Sequence, residues 1–181
     1  MEMYISDILT KILQYSKDEA MRTGTYQIGP GHLFLGLLRH GDNEACRMLS
    51  ECGADIAACK GFLDTRLFKS VGIPYCDEDK ITLSRSAENV LSMTMLEASM
   101  AGDGEVGTGH LLMALSKSVC AECESLFSML GVSYRTLSEL HNKGKESTAE
   151  NGHSAAEAVE TIKEELISVV EMLSDGSKIF S

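Results

Sequence analysis

The sequence predicts an all-α fold: a tandem repeat of two four-helix units, followed by a separate C-terminal helix. The first observation is that the segment GPGHLFLGL at 29–37 returns as GTGHLLMAL at 107–115, 78 positions later. The second is that the same offset, with no gap, places Glu19 on Glu97. The third is that apolar residues recur at three- and four-residue intervals, the period of a helix, with no competing strand pattern.

The first repeat, residues 1–70, is expected to contain four helices. The first helix carries apolar residues from Ile5 to Met21 and ends at Gly24, since glycine readily stops a helix. The second covers 32 to about 40 and contains most of the repeated motif. The third and fourth follow residues whose side chains can accept hydrogen bonds from the exposed amides of a first helical turn, and these are Asp42 or Asn43, and Asp55.

The second repeat, residues 82–141, follows the same plan after an inter-repeat loop at 71–81. Thr108 is the predicted N-cap of the helix that carries the second copy of the motif. The four predicted helices cover 84–100, a segment capped by Thr108, 121–130, and a segment from Ser133 to about His141.

A polar linker at 142–153 separates the repeats from a predicted amphipathic helix at 154–175. Ser154 and Glu157 have the spacing of a capping box, in which each side chain bonds a backbone amide of the other. Apolar residues then recur at helical spacing and form one seam. Because an isolated helix of about twenty residues is marginal in water, this seam is expected to dock on the repeats, on a partner, or on a second copy in a homodimer formed through 154–174.

Composition limits the expected partners. A formal net charge of −11 and a pI near 4.9 do not suit phosphate neutralisation, so no nucleic-acid partner is expected. No apolar run approaches the roughly 20 residues of a membrane span, and no signal peptide is visible, so we expect a cytoplasmic protein with no membrane association. The six cysteines are then expected to be reduced structural thiols.

Cys120 and Cys123 form a Cys-x-x-Cys pair. A zinc site would need two further ligands at matched spacing, and a thioredoxin-like redox site would need a βαβ context. Neither is visible, so we expect structural thiols with no metal and no cofactor.

Both copies of the Gly-x-Gly-His motif lie where a loop enters a helix. Glycines permit a sharp turn, and the histidine falls in the first helical turn. Either the helix N-terminus accepts an anion or a partner's carboxylate, or the glycines form a tight turn and the histidine hydrogen-bonds across the repeat interface. The candidate protein- or peptide-binding residues are Gly29, Pro30, Gly31, His32, Gly107, Thr108, Gly109 and His110.

These residues resemble the N-terminal domain of the Clp-type protein unfoldases, the ClpA/ClpC class, over roughly residues 5–141. Each half of that domain carries a Gly-Thr-Glu-His motif and a leucine-rich run, which 29–37 and 107–115 match. The resemblance implies a double four-helix repeat that recognises protein substrates or adaptors, in the manner of a chaperone or a proteolysis adaptor. It also implies partners among Clp ATPase or protease subunits.

Two departures change what the resemblance implies. In the ClpC branch, the glutamate before each histidine pairs with the guanidinium of phosphorylated arginine, but Gly31 and Gly109 stand at those positions here. No other residue type at those positions can supply a fixed negative charge in its place, so phosphoarginine binding in that mode is not expected. Pro30 replaces the usual threonine cap, which removes a hydroxyl but is tolerated at a helix start.

No Gly-x-x-x-x-Gly-Lys-Ser/Thr phosphate loop occurs in the sequence, so we expect a stand-alone recognition module without an ATPase domain. The matched pair Glu19 and Glu97 is explained by the repeat itself, and no catalytic residue is predicted. The expected function is therefore a non-catalytic protein-binding module. The alternative is a structural or regulatory oligomer that associates through the C-terminal helix.

Overall fold

The computed structural model describes residues 3–69 and 71–148, and within them each repeat contains four α-helices, as the sequence predicts. The predicted C-terminal helix at 154–175 and the dimer through it lie outside the described residues. The first repeat contains β1 (Tyr4–Ile5), α1 (Asp7–Thr23), β2 (Gln27–Ile28), α2 (Pro30–His40), α3 (Glu44–Glu51) and α4 (Ile56–Leu67).

The second repeat follows a short 3-10 helix at Tyr75–Lys80, inside the predicted loop. Its elements are β3 (Thr82–Leu83), α5 (Arg85–Ala101), β4 (Glu105–Val106), α6 (Thr108–Lys117), α7 (Ala121–Leu130) and α8 (Tyr134–Thr148). Among the described residues, no helix combines the length and the apolar character that a membrane crossing needs.

Matched caps begin and end the first helix of each repeat. The Ser6 hydroxyl accepts a hydrogen bond from the amide of Leu9 at 3.0 Å, and Ser84 does the same for Ala87 at 3.1 Å. Gly24 and Gly102 end these helices in the left-handed conformation, with φ of 83° and 72°. Glycine adopts that conformation at no steric cost, so the repeated glycine sets the length of both helices.

Thr108 is not the cap that the sequence analysis predicts. The N-cap is Gly107, and Thr108 is the first residue inside α6. Its hydroxyl instead accepts a hydrogen bond from the backbone amide of Ala45 in the other repeat, at 3.2 Å. Likewise α2 begins at Pro30 rather than at His32, because proline suits the first helical position.

The last described helix, α8, continues to Thr148. From the sequence, this helix is predicted to end near His141, with a linker at 142–153. Residues 142–148 are therefore helical, although their polar composition carries no apolar periodicity from which the helix could have been predicted.

Two pairs of short parallel strands join the repeats, and the sequence analysis predicted neither. Strand β1 pairs with β4, and β2 pairs with β3. Each strand has only two residues, too few for the alternation that reveals a strand in a sequence. Because β2 and β4 lead into α2 and α6, the pairs place the starts of these two helices beside the other repeat.

The leucine-rich runs of α2 and α6 form the centre of the core, where the residues from Leu33 to Leu38 and from Leu111 to Leu115 are buried. Phe34 stacks on Phe127 of the other repeat, with 5.3 Å between ring centroids. A matched ion pair joins the first two helices of each repeat. Glu97 of α5 binds Lys117 of α6 at 2.6 Å, and Glu19 of α1 binds Arg39 of α2 at 3.4 Å.

Gly36 lets α2 approach α1 closely. A Cβ at this position would lie 2.7 Å from the Ile12 carbonyl oxygen and 2.9 Å from the Ser16 amide nitrogen, both backbone atoms. We predict that Gly36→Ala lowers the free energy of unfolding by about 1–3 kcal/mol, the usual cost of overpacking a core. Urea denaturation of the full chain measures this change.

Gly61→Ala is the matched control, since Gly61 is exposed in α4 and a Cβ there would meet no atom within 4 Å. Alanine is favoured over glycine in a helix by about 0.5–1 kcal/mol, so this variant should be slightly more stable. Equal effects from both substitutions would contradict the close approach at Gly36.

Candidate functional site

The histidine of each motif caps its own helix. The backbone amide of Gly29 donates to His32 Nδ1 at 3.0 Å, and that of Gly107 donates to His110 Nδ1 at 2.9 Å. Each ring occupies the position that glutamate holds in a capping box. Since Nδ1 accepts a hydrogen bond in both rings, the ring proton of each neutral histidine lies on Nε2.

The Nε2 atoms bind residues at the end of the preceding helix. His32 Nε2 lies 3.1 Å from the hydroxyl of Thr23, and His110 Nε2 lies 2.6 Å from Asp103 Oδ2. Both partners belong to the same repeat as the histidine. The alternative in which the histidine hydrogen-bonds across the repeat interface is therefore wrong, because Thr23 ends α1 and Asp103 follows α5 within the same repeat as the histidine.

Most of the predicted binding residues are covered. Gly29 and Gly107 are partly exposed, whereas the other six are buried: Pro30, Gly31, His32, Thr108, Gly109 and His110. Burial lowers the pKa of His32 to about 4, so this ring is neutral at pH 7. Of these eight residues, only Gly29 and Gly107 are therefore accessible to a ligand.

A charged group that the sequence analysis missed lies beside the second motif. His141 of α8 contacts Asp103 Oδ2 through Nε2 at 2.7 Å and Glu44 Oε2 through Nδ1 at 2.8 Å. Burial alone would lower the pKa of His141, but the two carboxylates outweigh it and raise the pKa to about 9. The protonated ring therefore donates from both nitrogens and joins α3 of the first repeat to α8 of the second.

Two clefts lie where the helix starts meet the other repeat. The α2 cleft has a volume of about 180 Å³, and its lining includes Gly29, His32, Leu67, Lys69, Cys120 and Glu122. The α6 cleft has a volume of about 570 Å³, and its lining includes Asp42, Glu44, Arg47, Glu105, Gly107 and Thr108. The 78-residue offset of the repeat relates Gly29 to Gly107 and Glu44 to Glu122, so the two clefts are equivalent places in the fold.

Comparison with known proteins decides the family. A family model described as the Clp repeat (R) N-terminal domain matches residues 5–130. The chain belongs to this family.

Two relatives of this Clp N-terminal domain are named as Clp proteins. This chain is 29% identical over 123 residues to the chaperone protein ClpB of Oceanobacillus iheyensis, and 28% identical over 123 residues to the negative regulator of genetic competence ClpC/MecB of Bacillus subtilis. Each alignment covers 68% of this chain, but only 15% of the relative.

The fold is similar to that of solved Clp-family domains. Superposition on the Hsp104 N-terminal domain from Candida albicans gives a TM-score of 0.63 at 17% identity, and it covers 84% of this chain and 95% of that one. This likeness establishes the architecture of two helical repeats.

The glycines that stand before the histidines lie against different neighbours. A Cβ at Gly109 would lie 2.5 Å from Glu44 Oε1, whereas a Cβ at Gly31 would lie 2.9 Å from Leu67 Cδ1. A carboxylate therefore occupies the space beside Gly109, although it comes from α3 of the other repeat. The residues at 31 and 109 themselves supply no negative charge, as expected, but Glu44 places one beside Gly109, while Gly31 has an apolar neighbour.

Three potential metal ligands lie together at this point. The ligand atoms of Asp103, His110 and His141 all lie within 4.8 Å of one another. In the hydrogen-bond pattern of this Clp N-terminal domain, Asp103 accepts hydrogen bonds from both rings. A metal ion at this point would have to displace the ring protons that make these bonds.

We predict that His141 makes stability depend on pH. Its pKa is about 9 in the fold and 6.5 ordinarily, so its contribution is complete below about pH 6.5 and is lost as pH rises through 9. Partial solvent access reduces this contribution to about 1–3 kcal/mol. Urea denaturation at pH values from 6 to 9.5 measures the free energy of unfolding. Over this range it should fall more for the native chain than for the His141→Gln variant.

The comparison with His141→Gln cancels the titration of the groups that do not contact His141. Parallel stability curves for the two proteins would contradict the assignment of the charge to His141.

Proposed function

We propose that this domain is a non-catalytic protein-binding module, which receives segments of protein substrates or adaptors in the α2 and α6 clefts. The observation that carries the proposal is that the two clefts are equivalent places in a duplicated fold, each formed by both repeats. The relatives are named as a chaperone protein and as a regulator, which supports a partner that is itself a protein.

The charges of the α6 cleft favour a cationic side chain. Its rim carries the exposed carboxylates of Asp42 and Glu105 and the partly exposed carboxylate of Glu44, against the single guanidinium of Arg47. Opposite charges give specificity and faster association, even where they add little affinity. A peptide with lysine or arginine is therefore the preferred ligand of this cleft.

The α2 cleft offers different contacts. Lys69 and Glu122 give it one charge of each sign, and Leu67 supplies an apolar wall. The Thr25 hydroxyl, which also lines this cleft, is buried and lacks a hydrogen-bond partner within the described residues. A polar group of a bound peptide would satisfy it, since buried polar groups are nearly always hydrogen-bonded in folded proteins.

No reaction is assigned to the site. The ring nitrogens of His32, His110 and His141 are all engaged in hydrogen bonds within the fold, so none is placed to accept a proton from a ligand. The expected partners are protein substrates, adaptors, or Clp ATPase and protease subunits.

The second candidate function is self-association through the helix predicted at 154–174. Its apolar seam is the observation in favour, since such a seam requires a surface to cover it. Sedimentation of the full chain and of a chain that ends at 148 separates the two functions. A dimer that becomes a monomer on truncation, with peptide binding unchanged, would assign the two roles to different segments.

We predict that the full chain binds a fluorescent extended peptide rich in lysine more tightly than a matched peptide rich in glutamate. The double variant Asp42→Asn with Glu105→Gln should weaken the lysine peptide about two- to fivefold, the range for exposed charge pairs. Fluorescence anisotropy at low ionic strength measures both affinities, and salt should reduce the difference.

Asp79→Asn is the matched control, because Asp79 is exposed and does not line either cleft. Equal weakening by the control would show that overall charge, rather than the α6 cleft, attracts the peptide. Binding of neither peptide would count against a protein-binding role for these clefts.

A further inference from the structure

We propose that Cys120 and Cys123 are a reversible dithiol–disulfide pair, and that oxidation releases the Glu122 carboxylate into the α2 cleft. Helix α7 begins at Ala121, so Cys120 is its N-cap residue and Cys123 lies in its first turn. The two cysteines therefore lie within one helical turn, and a hydrogen bond between their thiols is the largest influence on the pKa of Cys120.

The two thiols differ in access. Cys120 lines the α2 cleft and keeps 8% of its surface exposed, whereas Cys123 is fully buried and does not line the cleft. The Cys120 thiol is therefore the one of the pair that is accessible from the cleft. This difference is typical of an attacking thiol with a resolving partner.

The pKa values of the two thiols are shifted in opposite directions. The neighbouring Cys123 thiol lowers the pKa of Cys120, against the opposing effects of burial and of Glu122. Cys120 and burial together raise the pKa of Cys123. Burial raises the pKa of both Cys46 and Cys59 as well, so among these four thiols Cys120 alone is shifted toward the reactive thiolate.

The start of α7 favours a reactive cysteine without the βαβ context of a thioredoxin-like fold. A Cys-x-x-Cys spacing and a helix N-terminus each lower the pKa of a cysteine, whatever fold surrounds them. The expectation that both thiols are only structural rested on fold context, and the structure provides the local context directly.

Oxidation requires a low-molecular-weight disulfide, RSSR, as the oxidant. The Cys120 thiolate attacks one sulfur of RSSR, and the departing RS⁻ takes up the proton that Cys120 lost. The Cys123 thiol then loses its proton and attacks the Cys120 sulfur of the mixed disulfide, and the second RS⁻ leaves and takes up that proton. Two thiols are thereby oxidised by two electrons, and RSSR is reduced to two RSH.

The link to the cleft is one hydrogen bond. The Cys120 thiol donates to Glu122 Oε2 at 3.0 Å, and this bond is the largest influence that lowers the pKa of Glu122. A disulfide has no S–H group, so oxidation removes the donor and leaves the carboxylate to other partners. The cleft then presents a carboxylate that has lost its thiol donor and keeps its backbone hydrogen bond and the attraction of Lys69.

The test uses the full chain with Cys52 and Cys76 changed to serine, because these two thiols are partly or fully exposed and would react independently. Incubation with oxidised glutathione, acid quench and peptide mapping should give one internal disulfide between Cys120 and Cys123. In the same background, Cys123→Ser should accumulate glutathione on Cys120. Cys120→Ser should react with oxidised glutathione at least tenfold more slowly than Cys123→Ser.

Three outcomes would overturn the proposal: a disulfide between other cysteines, no oxidation of the folded chain, or equal rates for Cys120→Ser and Cys123→Ser. Circular dichroism confirms that each variant is folded, and the map of the parent background decides the pairing even if one variant fails to fold. Cys59→Ser is the matched control and should leave the Cys120–Cys123 disulfide unchanged.

Discussion

The hydrogen bond from a glycine amide to a histidine ring, made once in each repeat, determines most of the surrounding structure. The start of a buried helix has backbone amides that no preceding turn can satisfy, and His32 and His110 satisfy one each. Because Nδ1 accepts this bond, the ring proton lies on Nε2 and requires an acceptor at the end of the preceding helix. Thr23 and Asp103 are these acceptors.

The two repeats use this shared device in different ways. In the first, the acceptor is a neutral hydroxyl, and the space before the histidine contains Leu67. In the second, the acceptor is a carboxylate, which also binds His141, and His141 binds Glu44 of the other repeat. A buried cation flanked by two carboxylates is tolerated because each charge has a partner. The duplicated sequence thus supports one apolar and one ionic version of the same junction.

The sequence predicted the helices well because their caps are local. Glycine after α1 acts within one turn of chain, so the pattern alone reveals that end of the helix. Serine before α1 and α5 acts equally locally, although it is not predicted as a cap from the sequence. The candidate site was predicted only in part. The motifs do border the clefts, but the pairing of His141 with Glu44 joins residues 97 positions apart, and no local pattern carries that information. Thr108 also satisfies an amide of the other repeat instead of its own helix, a choice that tertiary packing decides.

The strand pairs make the two repeats depend on each other during synthesis. Strand β1 contains Tyr4 and Ile5, among the first described residues, yet its partner residues Glu105 and Val106 are made much later. A nascent first repeat that has left the ribosome therefore has an unpaired strand and an exposed face of α2 until most of the second repeat follows. Domains generally fold as units, N-terminal part first. Here the folding unit spans both halves of the duplication, so the first half must remain soluble while it waits for the second.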